Sequence, residues 1–125
     1  MSTTRILAID DDEMVLNYLQ RMLGQRYQLI LCGEPQVAAQ MAKAELPDLI
    51  LCDIDMPDMD GGSVLAELAE DSRTANIPFV YLTSMVSPTE VADLNGIVGG
   101  RPGISKRASL DQMIAAIEAN LRPKP

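Results

Sequence analysis

The sequence predicts an α/β fold in which short parallel strands alternate with helices that cover both faces of one sheet. Apolar runs of strand length alternate five times with amphipathic stretches of helical period. The chain has 125 residues, of which 47% are hydrophobic, so it is long enough and apolar enough for one domain with its own core. Because each predicted helix can serve as the crossover connection that parallel strands need, the alternation predicts a five-stranded parallel sheet.

The strand candidates are short apolar runs, several of which stop on a polar residue. The third run, residues 48–53, is apolar almost throughout, as expected of a strand that is buried on both faces. The other candidates are residues 5–10, 27–32 and 77–83, with a short weak strand near residues 103–106.

The stretches between the strands carry helix start and stop signals. The first helix ends at Gly24, and the second has Pro35 in its first turn. Ser87 with Glu90, and Ser109 with Gln112, have the spacing of capping boxes that begin the fourth and fifth helices. The side chains predicted to face the core are Val15, Leu16, Leu19, Met22 and Leu23 on the first helix, and Leu110, Met113, Ile114, Ile117 and Leu121 on the last.

Polar residues follow the predicted strands at the edge where an open parallel sheet binds its ligands. Asp10 and Asp11 come after the first strand, and Asp53 ends the third. Thr83 ends the fourth strand and Lys106 ends the fifth. We therefore expect three carboxylates, a hydroxyl and an ammonium group at one rim.

Eight of the 18 acidic residues lie within residues 10–13 and 53–60. Clustered carboxylates repel one another, and a bound cation offsets that repulsion. Carboxylate oxygens in a chain with no histidine favour Mg²⁺. A carboxylate beside Mg²⁺ can act as a nucleophile toward phosphorus, and a lysine and a hydroxyl can then neutralise the transferred group. The rim is therefore equipped for phosphoryl transfer to an aspartate.

Four segments, in this order, resemble the landmarks of a response-regulator receiver domain: ILAIDDDE, DLILCDIDMPDMDGGSVLAEL, IPFVYLTS and ISK. The resemblance covers essentially the whole chain. It implies a doubly wound, flavodoxin-like (βα)5 fold with strand order 2-1-3-4-5. Residues 1–122 would form the receiver domain, and residues 123–125 a tail or the start of a linker.

The resemblance also implies roles for individual residues. Asp53 would be the phosphoacceptor, Thr83 would hydrogen-bond the phosphoryl group and Lys106 would pair with it. The implied Mg²⁺ ligands are Asp10, Asp11, Asp53 and the backbone carbonyl of Asp55. The phosphodonor would be a phosphohistidine on a sensor histidine kinase or a histidine phosphotransfer protein, and phosphorylation would change the affinity for an output domain or partner protein.

Composition excludes several function classes. A net charge of −8 argues against direct binding to nucleic acid, which needs a basic face. No apolar run approaches the roughly 20 residues of a membrane span, and the start lacks the apolar core of a signal peptide. Cys32 and Cys52 lie inside apolar runs without metal-binding spacing, which indicates buried reduced thiols. We expect a cytoplasmic signalling domain, monomeric or weakly dimeric, that is not an enzyme.

Two other functions fit parts of the pattern. A receiver that has lost phosphorylation would act as a constitutive protein-binding domain. The D-x-D pattern of residues 53–55 also fits the opening of haloacid-dehalogenase-type phosphatases, although there it comes first in the chain and here it comes third.

The sequence departs from the receiver pattern at three places. Gly103 stands where the family usually has a switching aromatic residue, and Tyr81 is either a substitute or a packing residue. Lys106 is followed by Arg107 rather than by the usual proline, which leaves open whether that bond is cis or trans. Asp55 adds an acid beside the expected phosphoryl group, where it would slow phosphorylation, orient a hydrolytic water or simply be a solvated loop acid.

Three further acids have local explanations. Asp12 and Glu13 suit either a metal site or a helix N-terminus, whose dipole favours carboxylates. Asp60, followed by Gly61, is typical of a turn and a helix start.

Overall fold

The computed structural model describes residues 3–54, 56, 59–84, 87–94, 96–98 and 100–121. The strands are β1 (Arg5–Ile9), β2 (Gln28–Cys32), β3 (Leu49–Asp53), β4 (Phe79–Thr83), β5 (Ile97–Val98) and β6 (Arg101–Ser105). The helices are α1 (Glu13–Leu23), α2 (Ala38–Glu45), α3 (Gly61–Ala69), α4 (Pro88–Asp93) and α5 (Leu110–Asn120), and a 3₁₀ turn (Pro35–Val37) precedes α2.

Within the described residues, six strands form one sheet in the order β2-β1-β3-β4-β6-β5. The first five strands in that order are parallel, with β6 as the fifth strand of the predicted fold. The doubly wound α/β fold and the order 2-1-3-4-5 are therefore confirmed. Because all five strands run the same way, their carboxyl ends meet at one edge of the sheet.

The core lies on both faces of the sheet, because successive strand residues point to opposite sides. One cluster joins strand residues such as Leu51 and Leu82 to α1 and α5. The other joins residues such as Cys52 and Phe79 to α2 and α3. All five residues of β3 are buried, as predicted for a strand covered on both faces.

The predicted capping boxes are both present. In α4, the Glu90 backbone N–H donates to Ser87 Oγ at 3.1 Å and the Ser87 N–H donates to Glu90 Oε1 at 3.0 Å. The same reciprocal pair joins Ser109 and Gln112 at the start of α5. The inward placement of Leu110 was wrong: it is the first residue of α5 and is 40% exposed, whereas Met113, one turn later, is 1% exposed.

Strand β5 is an element that the sequence pattern did not predict. Ile97 and Val98 pair antiparallel with Pro102 and Arg101, so the fifth strand of the predicted fold has an extra neighbour on its outer edge. Gly100, in the turn between the two strands, has φ of 79°, a conformation that glycine adopts without strain. The predicted strand at residues 103–106 accordingly begins two residues earlier and ends at Ser105.

Among the residues that the structure describes, none of the helices is long and apolar enough to cross a bilayer.

Candidate functional site

The carboxyl edge of the sheet brings together the side chains that the sequence singled out. Asp10 directly follows β1, Asp53 and Thr83 are the last residues of β3 and β4, and Lys106 directly follows β6. Asp10, Asp53 and Thr83 are 0%, 7% and 3% exposed, so all three polar groups lie within the protein. Asp11, next to Asp10, is exposed and faces solvent at the mouth of the site.

Lys106 bridges two of the carboxylates. Its Nζ lies 2.7 Å from Asp10 Oδ2 and 3.3 Å from Asp53 Oδ1. Burial by itself lowers the pKa of Lys106, but the hydrogen bond to Asp10 and the negative charges of Asp10 and Asp53 outweigh it. The net pKa of Lys106 is raised, so the ammonium group keeps its charge between the two acids.

The same carboxylates can also hold a cation. Asp10, Asp11 and Asp53 each offer an oxygen, and these three oxygens lie within 4.8 Å of one another. Within the part of the chain described, Asp10 Oδ2 is paired with the Lys106 ammonium, and Asp10 Oδ1 accepts the Asp12 backbone N–H at 2.9 Å. Three carboxylates against one ammonium leave excess negative charge, and such hard oxygen donors suit Mg²⁺.

Two nearby acids cap helices instead. The Asp12 carboxylate accepts the Met14 backbone N–H at 2.9 Å at the start of α1, and Asp12 is not one of the three clustered acids. Asp60 accepts the Ser63 N–H at 2.8 Å at the start of α3, and this hydrogen bond lowers the pKa of Asp60. Asp55, whose carbonyl was an expected ligand, lies outside the described residues.

The backbone at Lys106 is tied to its neighbours. The Lys106 N–H donates to the Thr83 carbonyl at 2.7 Å, which joins the ends of β4 and β6. None of the described peptide bonds is cis, so the Lys106–Arg107 bond is trans. The Arg107 N–H, a group that proline lacks, donates to Ser105 Oγ at 3.1 Å.

Gly103 has no room for a side chain. A Cβ built on it would lie 2.7 Å from both Cβ and Cγ2 of Val98 in β5. Val98 therefore covers the sheet face where the usual aromatic side chain of a receiver would start. The sequence offered no signal for this contact beyond the glycines that flank a two-residue apolar run.

Tyr81 is a packing residue in this structure. It is 7% exposed, and its ring meets Phe79 edge to face with centroids 5.5 Å apart. Its Cε1 would lie only 2.9 Å from a Cβ on Gly61, so the ring presses against the first turn of α3. Of the two interpretations of Tyr81, the structure favours the one in the core.

Two apolar side chains of α1 are exposed beside the acidic rim. Met14 is 79% and Tyr18 41% exposed. Together with Met113 of α5 and the stem of Lys106, they line a shallow cavity of about 170 Å³. The site thus has an uncharged border on one side.

The comparisons with known proteins agree with this geometry. The sequence matches the family described as the response regulator receiver domain over residues 6–118. Response regulator PleD of Caulobacter vibrioides is 36% identical over 84 residues, which are 66% of this chain and 18% of PleD. Response regulator MprA of Mycobacterium leprae is 34% identical over 120 residues, which are 94% of this chain and 51% of MprA. The chain therefore spans between a fifth and a half of these relatives.

Solved structures share the fold. Chemotaxis protein CheY4 of Vibrio cholerae superposes with a TM-score of 0.80 at 21% identity, covering 96% of this chain and all of CheY4. The receiver domain of a sensor histidine kinase from Pseudomonas aeruginosa PAO1 superposes with a TM-score of 0.78 at 19% identity, covering 95% of this chain and 98% of that one. That receiver was crystallised with a magnesium ion coordinated in its active-site cleft.

Proposed function

The chain belongs to the response regulator receiver family, and from that membership we propose that Asp53 accepts a phosphoryl group in a Mg²⁺-dependent reaction. The observation that carries the proposal is the position of Lys106 Nζ, which lies 3.3 Å from Asp53 Oδ1 and 2.7 Å from Asp10 Oδ2. A carboxylate that could act as the nucleophile, a cation and further acids share one rim, which supports the proposal.

In the proposed reaction, an oxygen of Asp53 forms a bond to phosphorus while the phosphorus–nitrogen bond of a donor phosphohistidine breaks. The leaving imidazole keeps the electron pair and takes up a proton. Lys106 lies beside the attacking carboxylate of Asp53. Its ammonium can therefore pair with an equatorial oxygen of the phosphoryl group that is transferred to Asp53. Thr83, at the end of the neighbouring strand, supplies a hydroxyl as hydrogen-bond donor.

Asp10, Asp11 and Asp53 are the described residues that would hold Mg²⁺, and the carbonyl of Asp55 would complete the protein ligands. When bound, Mg²⁺ supplies positive charge that stabilises the phosphoryl oxygens. Before phosphorylation, the Lys106 ammonium offsets part of the negative charge of Asp10 and Asp53 by pairing with both carboxylates.

We further propose that the phosphodonor is a histidine kinase or a histidine phosphotransfer protein in the cytoplasm. The exposed Met14 and Tyr18 beside the rim give such a donor an apolar surface to contact. Several relatives are longer than the region that matches this chain. We propose that phosphorylation alters contacts with an output domain or a partner protein by shifting the population of two states.

A constitutive binding domain is the second candidate, and Val98 is the observation that favours it. Val98 covers Gly103, the place where an aromatic switch would move. Under this alternative the chain would bind its partner equally with and without a phosphoryl group. The match over residues 6–118 supports a receiver over the haloacid-dehalogenase-type phosphatase.

Intact-mass measurement after incubation with Mg²⁺ and acetyl phosphate tests the proposal. We expect one added phosphoryl group on the wild type and none on Asp53→Asn or in EDTA. Asp12→Asn is the matched control, since asparagine also caps a helix and the change leaves Asp10, Asp11 and Asp53 intact.

Absence of an adduct, under rapid quenching and with beryllofluoride as a stable mimic, would contradict phosphorylation and favour the constitutive binding domain. An adduct that survives in Asp53→Asn would place the phosphoacceptor elsewhere.

A further inference from the structure

We propose that Ser105 is a positioning residue that fixes the backbone on both sides of Lys106, in place of the proline that usually follows this lysine in receivers. The proposal deepens the proposed function, because Lys106 is the cation expected to pair with the phosphoryl group. Its subject is the turn that joins β6 to α5.

Ser105 accepts two backbone hydrogen bonds across this turn. Its Oγ accepts the Arg107 N–H at 3.1 Å, and its carbonyl accepts the Ala108 N–H at 3.0 Å. Ser105 itself is 1% exposed and is the last residue of β6, in register with Thr83 of β4. Both acceptor groups of Ser105 therefore belong to a strand residue. The hydrogen bonds fix the backbone immediately after Lys106, and the strand fixes the backbone immediately before it.

The remaining backbone N–H of the turn is also fixed, since Lys106 donates to the Thr83 carbonyl at 2.7 Å. Three consecutive amides thus have partners on β4 or β6. A lysine side chain has a flexible four-carbon stem, so the direction of its Cα–Cβ bond decides which acids its ammonium reaches. Holding that bond places Nζ at 2.7 Å from Asp10 and 3.3 Å from Asp53.

Arg107 explains why a hydroxyl is needed here. Proline has no N–H, so a Lys-Pro turn needs no acceptor at this place. Arg107 brings an amide that must be satisfied, and Ser105 Oγ satisfies it within two residues. The Ser105 hydroxyl before the lysine and the Arg107 N–H after it therefore work as one unit.

The test is a double-mutant cycle with Ser105→Ala and Arg107→Pro, read as the rate of phosphorylation by acetyl phosphate at saturating Mg²⁺. We expect Ser105→Ala to slow phosphorylation about fivefold, the factor expected for one net hydrogen bond. In the Arg107→Pro background, the same change should have no further effect, since the donor is already absent. The affinity for Mg²⁺ alone should not fall, because Ser105 is outside the acid cluster.

Ser109→Ala is the matched control, since Ser109 Oγ also accepts a backbone N–H, that of Gln112 at 3.2 Å, at the start of α5. It should lower stability but leave the phosphorylation rate unchanged. Equal slowing by Ser105→Ala with and without Arg107→Pro would overturn the proposal, as would a parallel loss of Mg²⁺ affinity.

A second measurement does not depend on phosphorylation. Acylation of lysine amines, resolved by peptide mass spectrometry, should become about fivefold faster at Lys106 in Ser105→Ala relative to Lys43, because a loosened ammonium leaves its acids. If the wild type accepts no phosphoryl group, the proposed function fails while this labelling still decides the positioning role. Unchanged Lys106 labelling in Ser105→Ala would overturn the role.

Discussion

Val98 lies over Gly103, so close that a Cβ on the glycine would be 2.7 Å from two carbons of the valine. Val98 belongs to β5, the extra antiparallel strand at the edge of the sheet, and Gly103 belongs to β6. The packing of β5 against β6 thus requires a residue without a side chain at position 103.

Gly103→Ala should destabilise the protein by about 1–3 kcal/mol, the usual cost of overpacking a well-filled site. The nearest atoms are the Cβ and Cγ2 of a branched side chain, which cannot move aside without shifting β5. Urea unfolding measures the change. In Val98→Gly/Gly103→Ala, which removes both of these carbons, the cost should be largely relieved, and equal losses from Gly103→Ala with and without the Val98 side chain would contradict the contact.

The parallel direction of the strands could be predicted from the sequence because each buried strand is a separate apolar run followed by a helix, whereas their order followed from the resemblance to receiver domains. The acid cluster could be predicted because strand ends of a parallel sheet share one edge. The hairpin could not, since Ile97 and Val98 form a strand of two residues whose stability comes from pairing with β6 rather than from any periodic pattern.

The contacts of individual site residues could not be predicted from the sequence. The sequence fitted Asp12 both to a metal ligand and to a helix N-cap. The hydrogen bond that it accepts from the Met14 N–H favours the N-cap. The sequence also left Tyr81 between a switch and the core, and its edge-to-face contact with Phe79 favours the core. The expected roles of Asp53, Thr83 and Lys106 stay predictions that phosphorylation experiments must test.

Magnesium should stabilise the wild type against unfolding. If the acid cluster binds Mg²⁺ only in the folded state, Mg²⁺ at ten times its Kd adds about 1.4 kcal/mol to the free energy of unfolding. Thermal or urea unfolding in Mg²⁺ and in EDTA, at equal ionic strength, measures this gain. Asp11→Asn should reduce it, because Asp11 is exposed and contributes to the cluster without a buried ion pair. Identical curves in Mg²⁺ and EDTA would argue against the metal site.

The charge of Asp71 should persist to unusually low pH. Hydrogen bonds from the Arg73 side chain and backbone lower the pKa of Asp71 to about 2, and the charge of Lys43 assists. Because the folded pKa lies below the unfolded value of about 3.9, the associated stability is present above pH 4 and is lost as pH falls toward 2. A carboxyl-detected NMR titration measures the pKa, which should return toward its ordinary value in Arg73→Ala. An ordinary pKa for Asp71 in the wild type would show that this pairing is absent in solution.

Both cysteines should resist alkylation in the native protein. Burial raises the pKa of the Cys32 and Cys52 thiols, so little thiolate forms at pH 8.5 and reagent access is blocked. Iodoacetamide should label them at the rate of unfolding and quickly in urea. Rapid labelling of Cys52 without denaturant would contradict its burial beneath the Asp53 rim.

Lys106→Ala should be strongly destabilising without metal, because it leaves Asp10 as a buried carboxylate without its ion-pair partner. Removing one partner of a buried pair costs about 3–5 kcal/mol, and the Asp10 side chain is 1% exposed while that of Lys106 is 18% exposed. Urea unfolding in EDTA measures this loss. Lys43→Ala is the control, since Lys43 lies 3.8 Å from Asp71 at the surface, where a pair is worth at most about 1 kcal/mol.

In Mg²⁺ the deficit of Lys106→Ala should shrink, because the cation takes over the compensation of Asp10 and Asp53. The stabilisation by Mg²⁺ should accordingly be larger in Lys106→Ala than in the wild type, where the ammonium already occupies part of the same negative field. Equal stabilisation of both proteins would mean that Lys106 and the metal act at separate places. A larger Mg²⁺ stabilisation in Lys106→Ala than in the wild type would therefore show that Lys106 and Mg²⁺ compensate the same carboxylates.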